Sequence, residues 1–221
     1  MPSIASLIDH TLLRPDVAAG DIDVLCRDAA EYGFRTVCVN PTWVRRSAEA
    51  LATSAVHVCS VVAFPFGATP PEVKVYEARR AIADGAQEID AVMNLGALKS
   101  GDMRHFEEDI DGIARACREA GALCKIILET PLLTDEQKTA ACRVALRAGA
   151  DFVKTSTGFG PAGATTADVA LMRRIVGSAM GVKAAGGVRD LDAAQAMIDA
   201  GATRIGTSAG VRIVLEERAK A

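Results

Sequence analysis

The chain has no apolar stretch long enough to span a membrane. Its first residues, Met1 to Leu13, also lack a basic leading segment and a long apolar run, since Asp9 and His10 interrupt it after Ile8. Neither a secretory leader nor an integral membrane protein is expected. Charge of one sign is never concentrated in a block: 25 basic and 28 acidic residues leave a net −3, which argues against a nucleic-acid surface or an acidic tail. CxxC pairs are missing as well. Cys26, Cys38, Cys59, Cys117, Cys124 and Cys142 are scattered, and they read as reduced core residues of a cytoplasmic protein. His10, His57 and His105 stand far apart without H-x-H or HExxH spacing, so neither a structural metal nor a zinc-dependent mechanism is expected. The dinucleotide fingerprint G-x-G-x-x-G is also absent, which weighs against an open doubly wound sheet.

What the chain does contain is a weak internal repeat. Its 221 residues, half of them apolar, suffice for one sizeable core, and a single domain over 1–221 is expected. Gly-Ala recurs before β-branched or apolar runs: Gly85-Ala86 before Glu88 to Val92, Gly121-Ala122 before Leu123 to Leu128, Gly149-Ala150 before Phe152 to Gly158, and Gly201-Ala202 before Thr203 to Gly206. Gly33-Phe34 precedes Thr36 to Val39 in the same way. Each glycine follows a helix-like segment, where a left-handed C-cap leading into a short loop would place it. Further strand candidates are Leu7 to Leu13, Val58 to Phe64 and Val182 to Ala185. Thr69-Pro70-Pro71-Glu72 offers an N-cap, a Pro at the first helical position and a capping-box Glu, and Thr134 with Gln137 and Thr165 with Asp168 repeat the capping pattern. Eight strands alternating with helices fit an α/β fold, a closed parallel TIM (β/α)8 barrel.

The chemistry centres on Phe152-Val153-Lys154-Thr155-Ser156-Thr157-Gly158, where a lysine interrupts a run that reads as a buried strand. Gly181-Val182-Lys183-Ala184-Ala185-Gly186-Gly187 repeats the arrangement. Asp9, Asp90 and Lys125 are ionisable residues inside other apolar runs. Because an unpaired buried charge is costly, all five are expected to converge at the barrel mouth. A lysine with a pKa of about 10.4 is neutral about once in 2,500 at pH 7; lowering that pKa to about 7 takes about 4.6 kcal/mol of destabilisation of the charged form. A second ammonium and partial burial can supply it, and Lys154 and Lys183 lie on consecutive strands. Asp90 is the candidate proton carrier, or equally a counter-ion that raises the lysine pKa; sequence does not separate these roles. Glycine turns after the last three strands, Gly158-Phe159-Gly160, Gly186-Gly187-Val188-Arg189 and Gly206-Thr207-Ser208, offer backbone N–H groups to a phosphate.

The motifs Glu88 to Asn94, Phe152 to Phe159, Val182 to Arg189 and Arg204 to Ser208, together with Leu7 to Leu13, resemble those of the deoxyribose-phosphate aldolases over nearly the whole chain. The resemblance implies a class I aldolase on a TIM barrel that reversibly cleaves 2-deoxy-D-ribose 5-phosphate to D-glyceraldehyde 3-phosphate and acetaldehyde. It further implies Lys154 as the Schiff-base lysine, Lys183 as the neighbour that lowers its pKa, Asp90 as the proton relay, and a phosphate near Gly158, Gly186, Gly187, Gly206 and Ser208. Asp9, Cys38 and Lys125 match positions near the family's site without a settled role. Small sugar-phosphate and aldehyde substrates are expected, with no cofactor; the oligomeric state is left open. A pyridoxal-phosphate enzyme and a non-catalytic sugar-phosphate-binding barrel are the alternatives.

Overall fold

Short apolar, β-branched runs form eight parallel strands in the computed structural model, which describes residues 3–220: β1 Ile8–Leu12, β2 Thr36–Val39, β3 His57–Val62, β4 Glu88–Val92, β5 Leu123–Ile127, β6 Phe152–Lys154, β7 Gly181–Ala185 and β8 Arg204–Thr207. Each pairs with the next in sequence order and β8 pairs with β1, closing the barrel. The helices of the outer layer are α1 Ala19–Tyr32, α2 Val44–Ala50, α3 Pro71–Ala83, α4 Leu95–Ser100, α5 Met103–Glu119, α6 Asp135–Ala148, α7 Thr166–Val176, α8 Leu191–Asp199 and α9 Gly210–Lys220. Among the described residues no helix is long and apolar enough to cross a membrane.

The recurrent glycines do what a chain leaving a helix requires. Gly33 and Gly149 cap α1 and α6 in the left-handed region, at φ 71° and 75°. Gly85, Gly121 and Gly201 also have positive φ but sit one residue beyond their caps. Thr134 and Gln137 form the expected capping box, and Thr165 accepts from the Asp168 amide. Two expectations are corrected. Thr69 does not cap α3: Pro70 occupies that position with no side-chain cap, because the chain enters the helix through the two prolines. The run from Phe152 leaves the sheet after Lys154, so Thr155 to Gly158 are loop.

Packing divides the strand residues with period two. Ile8, Val37, Val58, Ile89, Ile126, Val153, Val182 and Ile205 belong to the large core between strands and helices. Fully burying such a side chain contributes roughly 1.5–3 kcal/mol, and this layer carries the stability of the barrel. Leu13, Cys38, Cys59 and Val61 form a separate small apolar cluster. Asp9, Glu88, Asp90, Lys125, Lys154, Lys183 and Arg204 occupy further positions of this inward alternation.

Candidate active site

Register sets the charged residues side by side. Asp90 is level with Lys125, and Lys154 is level with Lys183, which is level with Arg204. All are buried, as are Asp9 and Glu88. The five residues singled out in the sequence do converge. Asp90 is the hub: its Oδ1 accepts from Lys125 at 2.8 Å, and its Oδ2 accepts from both Lys154 and Lys183 at 2.7 Å. Lys183 also donates to Asp9, whose other oxygen accepts from Arg204 at 2.6 Å. Glu88 completes the lattice, 2.7 Å from Lys125 and 2.8 Å from Arg204.

The electrostatics follow from this packing. Burial opposes the charge of Asp90, but Lys125, Lys154 and Lys183 outweigh it and hold the carboxyl well below its usual range. Burial likewise works against Asp9, and Lys183, Lys125 and Arg204 prevail. Burial disfavours the Lys183 ammonium as well, yet Asp9 and Asp90 raise its pKa above the ordinary lysine value. Asp90, Cys59, Asp9 and Glu88 do the same for Lys125 against its own burial. Four cations, Lys125, Lys154, Lys183 and Arg204, thus face three carboxylates, Asp9, Glu88 and Asp90. Arg35, exposed at the edge, adds a further cation 3.9 Å from Glu88 Oε1, so positive charge is in surplus around the three carboxylates.

Glu88, Arg204 and Cys59 were not singled out in the sequence. Glu88 lies two positions before Asp90, on the same face of β4, so the strand period was a usable signal; Arg204 opens β8 with the same inward alternation. Cys59 lies 3.2 Å from Asp90 and 3.3 Å from Lys125. Its neighbour Cys38 is level with it on β2. Ligand atoms of Cys38, Cys59 and Asp90 fall within 4.8 Å of one another, and among the described residues no other such set of three or more does. The three ammonium groups already on Asp90 oppose a cation there.

Above the cluster opens a cavity of about 350 Å³, within the range of small-molecule sites. It is lined by Lys154 and by all five expected phosphate-site residues, Gly158, Gly186, Gly187, Gly206 and Ser208, with Arg14 and Arg189 adding positive charge. Lys125, Lys183 and Asp90 are not among its lining residues. Lys154 is the amine of the cluster that reaches this space. A larger groove, about 670 Å³, runs over the outside of the barrel along α9, past His10, Arg212 and Leu215, and contains none of the clustered lysines.

Two glycines here are required by close approach. A Cβ on Gly206 would stand 3.0 Å from Lys183 Cε, in the path of the lysine side chain. Gly163, which sequence reading passed over, crosses the β7 turn so closely that its Cβ would lie 2.1 Å from the Gly186 carbonyl oxygen. The loop after β6 therefore rests on the turn after β7, and the two walls of the cavity are fixed to each other.

Comparison with known proteins agrees with this geometry. The model of the DeoC/LacD family aldolases matches residues 3–216. The chain is 57% identical over 211 residues to deoxyribose-phosphate aldolase 1 of Bacillus licheniformis, covering 96% of this chain and 94% of that one. It is 56% identical over 213 residues to the deoxyribose-phosphate aldolase of Thermococcus gammatolerans, covering 96% and 95%. The tetrameric deoxyribose-phosphate aldolase of Aeropyrum pernix superposes with a TM-score of 0.91 at 36% identity, over 99% of this chain and 92% of that one. With a closed eight-stranded barrel, a buried lysine cluster beneath a glycine-lined cavity, and a match over nearly its full length, the chain belongs to the DeoC/LacD family of aldolases.

Proposed function

We propose that this chain is a lyase that reversibly cleaves 2-deoxy-D-ribose 5-phosphate to D-glyceraldehyde 3-phosphate and acetaldehyde through a Schiff base on Lys154. The observation that carries the choice of nucleophile is that Lys154 lines the cavity, while Lys183 and Lys125 are fully buried beneath it. An amine must meet substrate and must be unprotonated to attack. Lys154 is the amine of the cluster that lines the cavity and that substrate can reach.

Neutral Lys154 adds to the open-chain aldehyde, and the carbinolamine loses water to an iminium. The iminium accepts the electron pair as the C2–C3 bond breaks, the C3 hydroxyl gives up its proton to become the new aldehyde, and D-glyceraldehyde 3-phosphate departs. Protonation of the remaining enamine, then hydrolysis, releases acetaldehyde and restores the amine. Asp90, 2.7 Å from Lys154, is placed to hold or pass a proton through water, and Lys183 stays charged to disfavour a second ammonium beside it. The turns at Gly158, Gly186, Gly187, Gly206 and Ser208 would receive the phosphate and hold the reacting bond over the amine. No organic cofactor or metal enters any step.

Reduction with borohydride in the presence of acetaldehyde, followed by peptide mapping, tests the assignment. A stable adduct on Lys154 is expected, and an adduct on another lysine overturns it. Colourless active protein separates this reading from a pyridoxal-phosphate enzyme. The tetramer of the Aeropyrum pernix relative, together with exposed Phe66, Tyr76 and Leu215, supports self-association of this chain, measurable by sedimentation.

A further inference from the structure

Glu129 follows β5 and adopts a left-handed backbone, φ 55° and ψ 60°, which a residue with a Cβ rarely takes. Its side chain is buried beside the loop after β6. One carboxylate oxygen, Oε2, accepts from the Thr157 amide at 3.1 Å and from the Thr157 hydroxyl. Having given its only proton to Glu129, that hydroxyl accepts in turn from the Phe159 amide at 3.1 Å. The other oxygen, Oε1, has no hydrogen-bond partner and fills the space a side chain at position 160 would need: a Cβ on Gly160 would stand 2.9 Å from it. Thr157, Gly158 and Phe159 all line the cavity that contains Lys154.

A carboxylate near an anion site is electrostatically unfavourable, so affinity for phosphate does not account for it. Its contacts are geometric: they fix the direction of the Thr157 hydroxyl and the fold of the Thr157–Gly160 turn. We propose that Glu129 is a positioning residue for the phosphate end of the site. It holds this turn in the shape that receives the anion, by accepting two hydrogen bonds from Thr157 rather than by touching substrate. The inference rests on the aldolase reading above and adds to it a residue outside the lysine cluster and the glycine turns.

The experiment compares cleavage of 2-deoxy-D-ribose 5-phosphate with cleavage of unphosphorylated 2-deoxy-D-ribose by the full chain and by Glu129→Ala, Glu129→Gln and Thr157→Val. Glu129→Ala is expected to raise KM for the phosphorylated sugar about tenfold, leaving kcat/KM for the unphosphorylated sugar within about twofold. Glu129→Gln keeps an acceptor oxygen and is expected to restore most of the loss. Thr157→Val removes the hydroxyl but keeps the amide contact, and is expected to give a smaller loss confined to the phosphorylated sugar; it carries the test if Glu129→Ala does not fold. An equal loss on both sugars overturns the proposal, as does a glutamine variant no better than alanine, or no loss at all. A wild-type chain that forms the Lys154 adduct with acetaldehyde while failing these comparisons overturns this inference alone. A wild-type chain that cleaves neither sugar overturns the aldolase reading.

Discussion

Lys154 and Lys183 each place Nζ 2.7 Å from the same oxygen of Asp90, so the two nitrogens can lie no farther apart than twice that distance. Two unit charges at that range interact by about 3 kcal/mol at an effective dielectric of about 20, equivalent to roughly two pH units. Lys183→Leu removes that repulsion. The acid limb of the activity profile is expected to move up by about two units, with a slower rate at neutral pH, and a pH series of kcat/KM checks it. An unmoved limb would show that Lys183 acts in some other way.

Glu88 offers the opposite sign. It sits on the far side of the cluster, against Lys125 and Arg204, and makes no contact with Lys154. Glu88→Gln removes one of three carboxylates and enlarges the cationic surplus, so the acid limb is expected to move down, by less than about one unit at this greater distance. The same pH series run beside Lys183→Leu reads both. Shifts in the same direction would contradict the charge balance described above.

Gly163 joins the two cavity walls. A methyl group there would collide with the backbone carbonyl of Gly186, which cannot yield as a flexible side-chain end can. Gly163→Ala is expected to cost about 1–3 kcal/mol of stability and to raise KM. Chemical denaturation and steady-state kinetics test both effects; a variant with wild-type KM would mean that the walls adjust independently.

His10 predicts acid sensitivity. It lies on β1 with its ring against Phe34, and burial lowers its pKa from 6.5 to about 4, with Asp28 partly opposing. The unfolded chain therefore takes up this proton at higher pH than the folded one. The contribution is fully present above pH 6.5 and is lost as the pH falls from 6.5 through about 4, up to roughly 3 kcal/mol. Asp9 and Asp90 act in the same direction at lower pH, so the informative quantity is a difference between variants. His10→Asn should flatten the stability curve between pH 6.5 and 4 in denaturant titrations. An unchanged slope would place the sensitivity elsewhere.

The barrel was legible because its signals are local: glycines after helices, apolar runs, and prolines and threonines at helix starts. The convergence of Asp9, Asp90, Lys125, Lys154 and Lys183 followed from the cost of burying charge alone. Glu88 and Arg204 escaped notice because each stands at the first position of its strand, where a charge reads as a solvated end. Only closure of the ring buries them. Glu129 escaped for a different reason: its role depends on a backbone conformation and a partner 28 residues away, neither of which has a sequence period. The loop after β6 was misread as strand because Thr155, Ser156 and Thr157 extend a β-prone run, while Glu129 and Gly186 bend it into a turn.

Asp9 reaches Lys183 and Arg204 across separations of 174 and 195 residues. During synthesis the first strand must wait for the last two before its carboxylate has hydrogen-bond partners. Until then the reactive amine lacks a finished surrounding, so competence should arrive in one late step with ring closure rather than grow by degrees.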